Sequence, residues 1–219
     1  MTDPVIEKSS SPDSKNESLL SLSIYLVVAL GLAVLIRAFV AAPYVVSGSS
    51  MEPNFQDWNY LIVEKMTTCI PFTSPEKCFD FGEPQRGDVI VLKLPEDTSR
   101  ALIKRVIGLP GDTVILSGSK PTVTIVNASH PNGFVLNEPY ISSANYGGPT
   151  DMTINLQADQ YFVLGDNRNV SADSRSWGIL PRQDVVGRVI LRLYPLNEIG
   201  ITPAEARYDS TSTASTTQL

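Results

Sequence analysis

Histidine is almost missing from this chain. Among 219 residues there is one, His130, set in Ser129-His130-Pro131-Asn132-Gly133, a segment with the composition of a solvent-exposed turn. A Ser-His-Asp triad is therefore hard to build, although triad partners meet in space rather than in sequence. Cysteine is scarce as well: Cys69 and Cys78 are the only two, and with one imidazole they are too few for the usual four-ligand zinc site, so neither a metal nor a cofactor is expected. Basic charge is in deficit, with 17 Lys+Arg against 23 Asp+Glu, a net charge of -6 and a pI near 4.8. Phosphate binding needs a basic face, so nucleic acid is excluded as a partner. No internal repeat is present, and no long amphipathic helical pattern appears beyond residue 42.

What is there suits one domain with accessories: 42% hydrophobic residues allow a real core. Residues 1 to 18 are rich in Ser, Asp, Glu, Asn and Pro and carry too few apolar groups to offset the entropy of ordering, which predicts a disordered tail. From Leu19 an uncharged apolar stretch runs to Ile36 and continues after Arg37 to Ala42. As a helix rising about 1.5 Å per residue, it spans a hydrocarbon core of roughly 30 Å. Arg37 sits where it can snorkel to the interface. A cleaved secretory signal fits less well, because its apolar region runs only about 7 to 15 residues behind a basic start, and this tail is acidic. Lys8, Lys15 and the amino terminus precede the span and Arg37 ends it, which favours an N-terminus on the cytoplasmic side. The expectation is a single-pass anchor over 19–42 with the bulk of the chain extracytoplasmic.

Beyond the anchor, short β-branched runs alternate with turn signals. The runs are Tyr60-Leu61-Ile62-Val63, Asp88-Val89-Ile90-Val91-Leu92, Thr113-Val114-Ile115-Leu116, Thr122-Val123-Thr124-Ile125-Val126, Gln160-Tyr161-Phe162-Val163-Leu164 and Val185 to Leu193. Such spacing predicts a mostly β class, an antiparallel, barrel-like domain over 43–208 behind the transmembrane helix. Arg86-Gly87-Asp88, Leu109-Pro110-Gly111-Asp112, Asn132-Gly133 and Gly147-Gly148-Pro149 are read as turns. Residues 209–219 read as a second loose tail. Cys69 and Cys78 fall in one Pro-bounded stretch; on the extracytoplasmic side a disulfide closing it is expected, worth about 2 to 3 kcal/mol.

Three segments carry reactive side chains. Ser50 begins Ser50-Met51-Glu52-Pro53 just past the hydrophobic span. A serine hydroxyl is a poor nucleophile until a base takes its proton, and a lysine does so only when neutral. Its reference pKa of about 10.4 must fall, which burial among apolar groups accomplishes. Lys104 lies in Ala101-Leu102-Ile103-Lys104-Arg105-Val106-Ile107-Gly108, where strand alternation puts it on the face of Leu102 and Val106, and Arg105 on that of Ile103 and Ile107. Periodicity alone does not choose which face is buried. Arginine is excluded as the base because it stays protonated. The third segment runs from Gly165-Asp166-Asn167-Arg168 through Ser171 and Asp173 to Ser174-Arg175; Asp173 and Arg175 are placed to pair and stiffen it, and Ser171 to hydrogen-bond a buried amine.

Taken in order with Arg86-Gly87-Asp88-Val89 and Ile103 to Asp112, these segments resemble the type I signal peptidase family, the bacterial leader peptidases, over about residues 19 to 195. The resemblance implies a Ser-Lys serine endopeptidase that cleaves signal peptides from secretory preproteins after small residues of Ala-x-Ala type. It makes Ser50 the nucleophile, with its backbone N–H an oxyanion donor, and Lys104 the general base. It makes Ser171 the residue orienting the lysine, and Asp166, Asp173 and Arg175 the support of that loop. Tyr44-Val45-Val46 resembles the strand that pairs with substrate backbone; Met51 falls where the family lines the pocket for the residue before the scissile bond, with Val46 and Phe55 as neighbours. The chain departs from the pattern at Gly48, where many members carry a hydroxyl that assists the oxyanion, leaving Ser47 and Ser49 as candidates. Further departures are Asn54 in place of a usual threonine, and Asn169-Val170 in place of a commoner Asp-Asn. Tyr44, Phe55, Trp58 and Tyr60 are candidates to seat the domain on the lipid bilayer.

Two other readings compete. A self-cleaving Ser-Lys protein of the phage-repressor kind is opposed by the anchor and by the lack of a basic DNA-binding segment. A catalytically silent membrane-tethered β domain that binds extended peptides is favoured only by Gly48, Asn54 and Val170.

Overall fold

The computed structural model describes residues 13–69, 78–80, 82–94, 100–118, 122–147 and 150–201. The chain divides into two units, one ending at Val40 and the other beginning at Ala41. The first is α1 (Asp13–Phe39), which contains the apolar stretch Leu19–Arg37, about 28 Å of helix with no residue buried. Helix therefore starts at Asp13, inside the tail expected to be disordered; residues 1–12 lie outside the described residues, as does the 209–219 tail. Ala41 and Ala42, assigned from sequence to the anchor, open the first strand instead. Pro43 follows them, and a residue preceding proline is pushed from helical to extended backbone.

The second unit is built from antiparallel strands, as the alternating runs predict. Its main sheet contains β1 (Ala41–Val45), β2 (Tyr60–Lys65), β5 (Val89–Lys93), β6 (Ala101–Gly108), β11 (Gln160–Leu164), β12 (Leu180–Pro181), β13 (Val185–Tyr194) and β14 (Gly200–Ile201). The order is β1-β2-β13-β5-β6-β11-β12, with β14 added to β13. A second sheet is ordered β10-β7-β8-β9, from β7 (Thr113–Ser117), β8 (Thr122–Asn127), β9 (His130–Val135) and β10 (Met152–Asn155). A two-stranded ribbon pairs β3 (Thr67–Cys69) with β4 (Cys78–Asp80) and sets the Cys69 backbone opposite that of Cys78. Their side chains, and hence the expected bridge, lie outside the described residues.

His130 is not in a turn. The β8–β9 hairpin reverses at Ala128 and Ser129, where the Asn127 side-chain oxygen accepts the His130 N–H at 2.9 Å, and the Pro131-Asn132-Gly133 sequence runs as strand on the sheet edge. Proline is tolerated there because an edge strand leaves one row of N–H groups unpaired.

Three apolar clusters hold the unit together. One joins the second sheet to the main one through Ile107, Val114, Leu116, Val123, Ile125, Leu156 and Phe162. Its tightest point is Gly108: a Cβ there would stand 2.5 Å from Val114 Cγ2 and 2.6 Å from Leu156 Cδ1, so only glycine lets the elements approach. A second gathers Val46, Met51, Phe55, Leu61, Val63 and Val91, with Ile103 packed on it. The third contains Ile90, Leu92, Val106, Tyr161 and Val163, with Leu102 against it. Leu102 and Val106 thus share one cluster while Ile103 and Ile107 join the other two, as strand alternation requires.

Candidate active site

β1 delivers the chain through residues 46–49 into a turn that begins at Ser50. Glu52 N–H donates to the Ser49 carbonyl and Phe55 N–H to that of Met51, which rolls Met51 and Phe55 under the turn and into the core, both fully buried. Lys104 arrives from the middle of β6, in register with Ile90 of β5. Lys104 Nζ lies 2.9 Å from Ser50 Oγ, and its second partner is the Ile103 carbonyl at 2.8 Å. Lys104 as a whole is 2% exposed. Burial lowers its pKa from 10.5 to about 8, against the opposing pull of Asp173 and Asp166.

Both of those carboxylates are neutralised by arginine. Arg105 grips Asp166 with Nε at 2.8 Å and Nη2 at 2.6 Å, a two-pronged pair with both partners buried. Arg175 does the same to Asp173, with Nε and Nη2 each at 2.8 Å. Burial alone pushes the Asp173 carboxyl up, but Arg175 and the Gly165 N–H outweigh it and hold it below the usual carboxylate range. Asp173 also caps α2 (Ser174–Trp177) through the Arg175 N–H.

The strand end after β11 presses on the Ser50 turn. Asn167 N–H donates to the Ser50 carbonyl at 3.0 Å. Gly165 sits between them: a Cβ there would be 2.2 Å from Ser171 Oγ and 2.5 Å from the Ser50 oxygen, so no other residue fits. Beside Ser50 opens a cleft of about 100 Å³ lined by Tyr44, Val45, Val46, Ser47 and Leu61 on one side and Ala101, Leu102, Ile103 and Lys104 on the other. Such a volume is too small for a drug-sized ligand and admits only a small side chain. A serine hydroxyl against a buried amine at the floor of an apolar cleft can accept an acyl group.

A profile of the family described as signal peptidase, peptidase S26, matches residues 19–194. The chain belongs to this signal peptidase family. A signal peptidase I of Leptolyngbya laminosa is 37% identical over 193 residues, 84% of this chain and 82% of the relative. A probable signal peptidase I-2 of Synechocystis is 36% identical, covering 96% and 90%. Signal peptidase I S of Bacillus subtilis is 34% identical, covering 85% and 95%. The crystal structure of a signal peptidase I from Enterococcus faecalis is 34% identical, covers 49% of this chain and 97% of its own, and gives a TM-score of 0.41.

Within the signal peptidase pattern, some expected placements change. Met51 and Phe55 were expected on the wall of the substrate pocket, yet they form the floor of the core beneath it, because the turn after Ser50 folds them inward. Val46 lines the cleft by its side chain, but its backbone is already engaged: its N–H donates to the Asn59 carbonyl and its carbonyl accepts from Trp58 N–H. Only Tyr44 and Val45 of the expected substrate strand belong to β1, at the end of the main sheet. The buried Ser171 hydroxyl makes no hydrogen bond to Lys104, whose second partner is the Ile103 carbonyl. No side-chain rule reveals a backbone acceptor, so sequence reasoning missed Ile103. Gly48, at φ +98°, has its N–H taken by the Asp57 carboxylate, and of the two candidate hydroxyls Ser47 lines the cleft.

Proposed function

We propose that the chain is a membrane-tethered serine endopeptidase that removes signal peptides from exported preproteins, with Ser50 as nucleophile and neutral Lys104 as general base. The observation that carries this reading is the 2.9 Å separation of Lys104 Nζ and Ser50 Oγ, with the amine buried enough to lose its proton near pH 8. In the neutral form the contact runs from Oγ–H to Nζ. Oγ attacks the scissile carbonyl carbon as its proton passes to Nζ, and the oxyanion faces the Ser50 N–H, a donor worth about 3 kcal/mol when well placed. Collapse breaks the C–N bond, and the Lys104 ammonium protonates the departing amine. Water then attacks the acyl-enzyme, giving its proton to Lys104, and Ser50 is regenerated.

Small side chains at Ala-x-Ala sites suit a narrow apolar cleft whose walls include Val46, Leu61 and Leu102. An extended substrate segment would add along the outer edge of β1, at Tyr44 and Val45. The apolar helix Leu19–Arg37 anchors the chain, with the catalytic unit on the extracytoplasmic side. Lys8 and Lys15 ahead of the span support that orientation. Tethering to the membrane that holds the signal segments raises effective concentration, and exposed Trp58 and Tyr60 suit a headgroup-level contact with lipid.

Detergent-solubilised protein and a preprotein with an Ala-x-Ala site provide the test. Wild type cleaves; Ser50→Ala and Lys104→Ala each lose about 10³-fold or more in kcat. The pH-rate profile of wild type rises through about 8 as Lys104 loses its proton. Binding without turnover by wild type would replace this reading with a silent peptide-binding module.

A further inference from the structure

Asn54 and Tyr140 take no part in the chemistry above, yet they tie its two halves together. One Asn54 amide nitrogen donates both to Asp166 Oδ2 at 2.8 Å and to the Tyr140 carbonyl at 2.9 Å. A carboxamide nitrogen has two protons, so it satisfies both acceptors at once; a hydroxyl has one. Asn54 stands in the turn that Ser50 begins, and Asp166 is the partner of Arg105, the neighbour of Lys104 on β6.

Tyr140 closes the circuit. Its ring lies under the Arg105 guanidinium, 4.0 Å from centroid to Cζ, and its hydroxyl donates to Glu138 at 2.6 Å. Glu138 forms a buried ion pair with Arg168, whose Nε donates to the Gly165 carbonyl at 3.0 Å. Asn167, next to Arg168, donates its N–H to the Ser50 carbonyl. Asn145 adds a second staple: its side chain donates to the Glu52 carbonyl at 3.1 Å and its own carbonyl accepts from Arg168 N–H at 2.9 Å. Contacts therefore run from the nucleophile's turn through the 138–147 segment and back to the nucleophile's own carbonyl.

We propose that Asn54 and Tyr140 are positioning residues for the Ser50–Lys104 pair, holding the turn of Ser50 at fixed distance from β6 by bridging it to the buried Arg105–Asp166 pair and to the 138–147 segment. The proposal rests on the dyad reading above. Loss of either bridge lets the turn shift away from Nζ and lets water reach the amine. A displacement of about 1 Å at reacting atoms costs on the order of a hundredfold in rate. Entry of water returns Lys104 toward its ordinary proton affinity.

The test uses the full chain in detergent with the Ala-x-Ala preprotein, comparing Asn54→Ala, Asn54→Thr, Tyr140→Leu and Tyr140→Phe, with thermal melts fixing an assay temperature at which each variant is folded. Asn54→Ala and Tyr140→Leu are expected to lower kcat by about 10- to 100-fold with KM within about threefold, and to move the ascending pH limb to higher pH. Asn54→Thr, which keeps one donor, and Tyr140→Phe, which keeps the ring over Arg105, lose less. Wild-type kcat and an unmoved limb in Asn54→Ala and Tyr140→Leu, whatever their melting temperatures, overturn the proposal, as does an effect confined to KM. Should Tyr140→Leu fail to fold, wild-type kcat and an unmoved limb in Asn54→Ala alone overturn it equally. A cleaving Ser50→Ala control would instead overturn the dyad reading itself.

Discussion

Lys104 and Arg105 are consecutive on β6, both buried, and the fold treats them in opposite ways. Arg105 enters the interior with a two-pronged carboxylate, the Gly87 carbonyl and an aromatic ring as partners. Lys104 enters with only a hydroxyl and a backbone carbonyl, neither of them charged. A guanidinium does not deprotonate, so burying one demands a counter-charge; an amine buried without one gives up its proton instead. Asp166 and Asp173 both lie close enough to pull Lys104 back toward the ammonium. Each carries its own arginine, and that pairing lets burial win.

The comparison breaks most severely on the arginine side. Arg105→Met leaves Asp166 fully buried with its charge uncompensated. Removing one partner of such a pair costs about 3 to 5 kcal/mol, read as a lower midpoint in denaturant unfolding. Replacing both members by apolar residues, Arg105→Met with Asp166→Leu, is expected to return much of that loss, because no orphaned charge then remains. Equal destabilisation in single and double variants would mean that the pair acts through shape rather than charge.

On the lysine side the expected effect has the opposite sign. Lys104→Met removes the proposed base yet is expected to stabilise the fold near neutral pH. A shift from 10.5 to about 8 corresponds to about 3 kcal/mol. The folded pKa lies below the unfolded one, so between pH 8 and 10.5 the unfolded chain binds more protons and wild-type stability rises with pH. The advantage of Lys104→Met is therefore full below about pH 8 and fades as pH approaches 10.5. Unfolding measured at pH 7 and pH 10 checks it; a variant less stable than wild type at pH 7 would contradict a lysine whose burial opposes its protonation.

Much of this was legible in the residues, and the remainder has identifiable causes. The alternating runs foretell β2, β5, β7, β8, β11 and β13, because one-sided burial writes itself as period two. Ser50 and Lys104 stand out through chemistry and order. What the pattern does not convey is the burial of both faces of β6 around adjacent cations, since alternation only sorts side chains between faces. Nor does it reveal that Met51 and Phe55 turn into the core, which depends on two backbone hydrogen bonds of the Ser50 turn. The Ile103 and Tyr140 carbonyls are used as acceptors, and a backbone group has no signature in sequence. Asn54 appears in sequence only as a departure from a family habit; its two donors acquire meaning once Asp166 and Tyr140 are placed.

The subtlest test concerns the second shielded carboxylate. Arg175 covers both oxygens of Asp173, whose charge raises the proton affinity of Lys104. Arg175→Gln uncovers that charge and removes a cation, and both changes favour the ammonium. The ascending limb of the pH-rate profile should therefore move up from about 8, by less than about one unit given the distance-limited coupling of such charges. With a shift of about half a unit, the neutral fraction of Lys104 at pH 8 falls from about one half to about one quarter. The rate at pH 8 drops accordingly and recovers at pH 10, a recovery that a misfolded loop would not give. A limb that stays in place would mean that burial alone sets the lysine's protonation and that shielding of Asp173 is irrelevant to it.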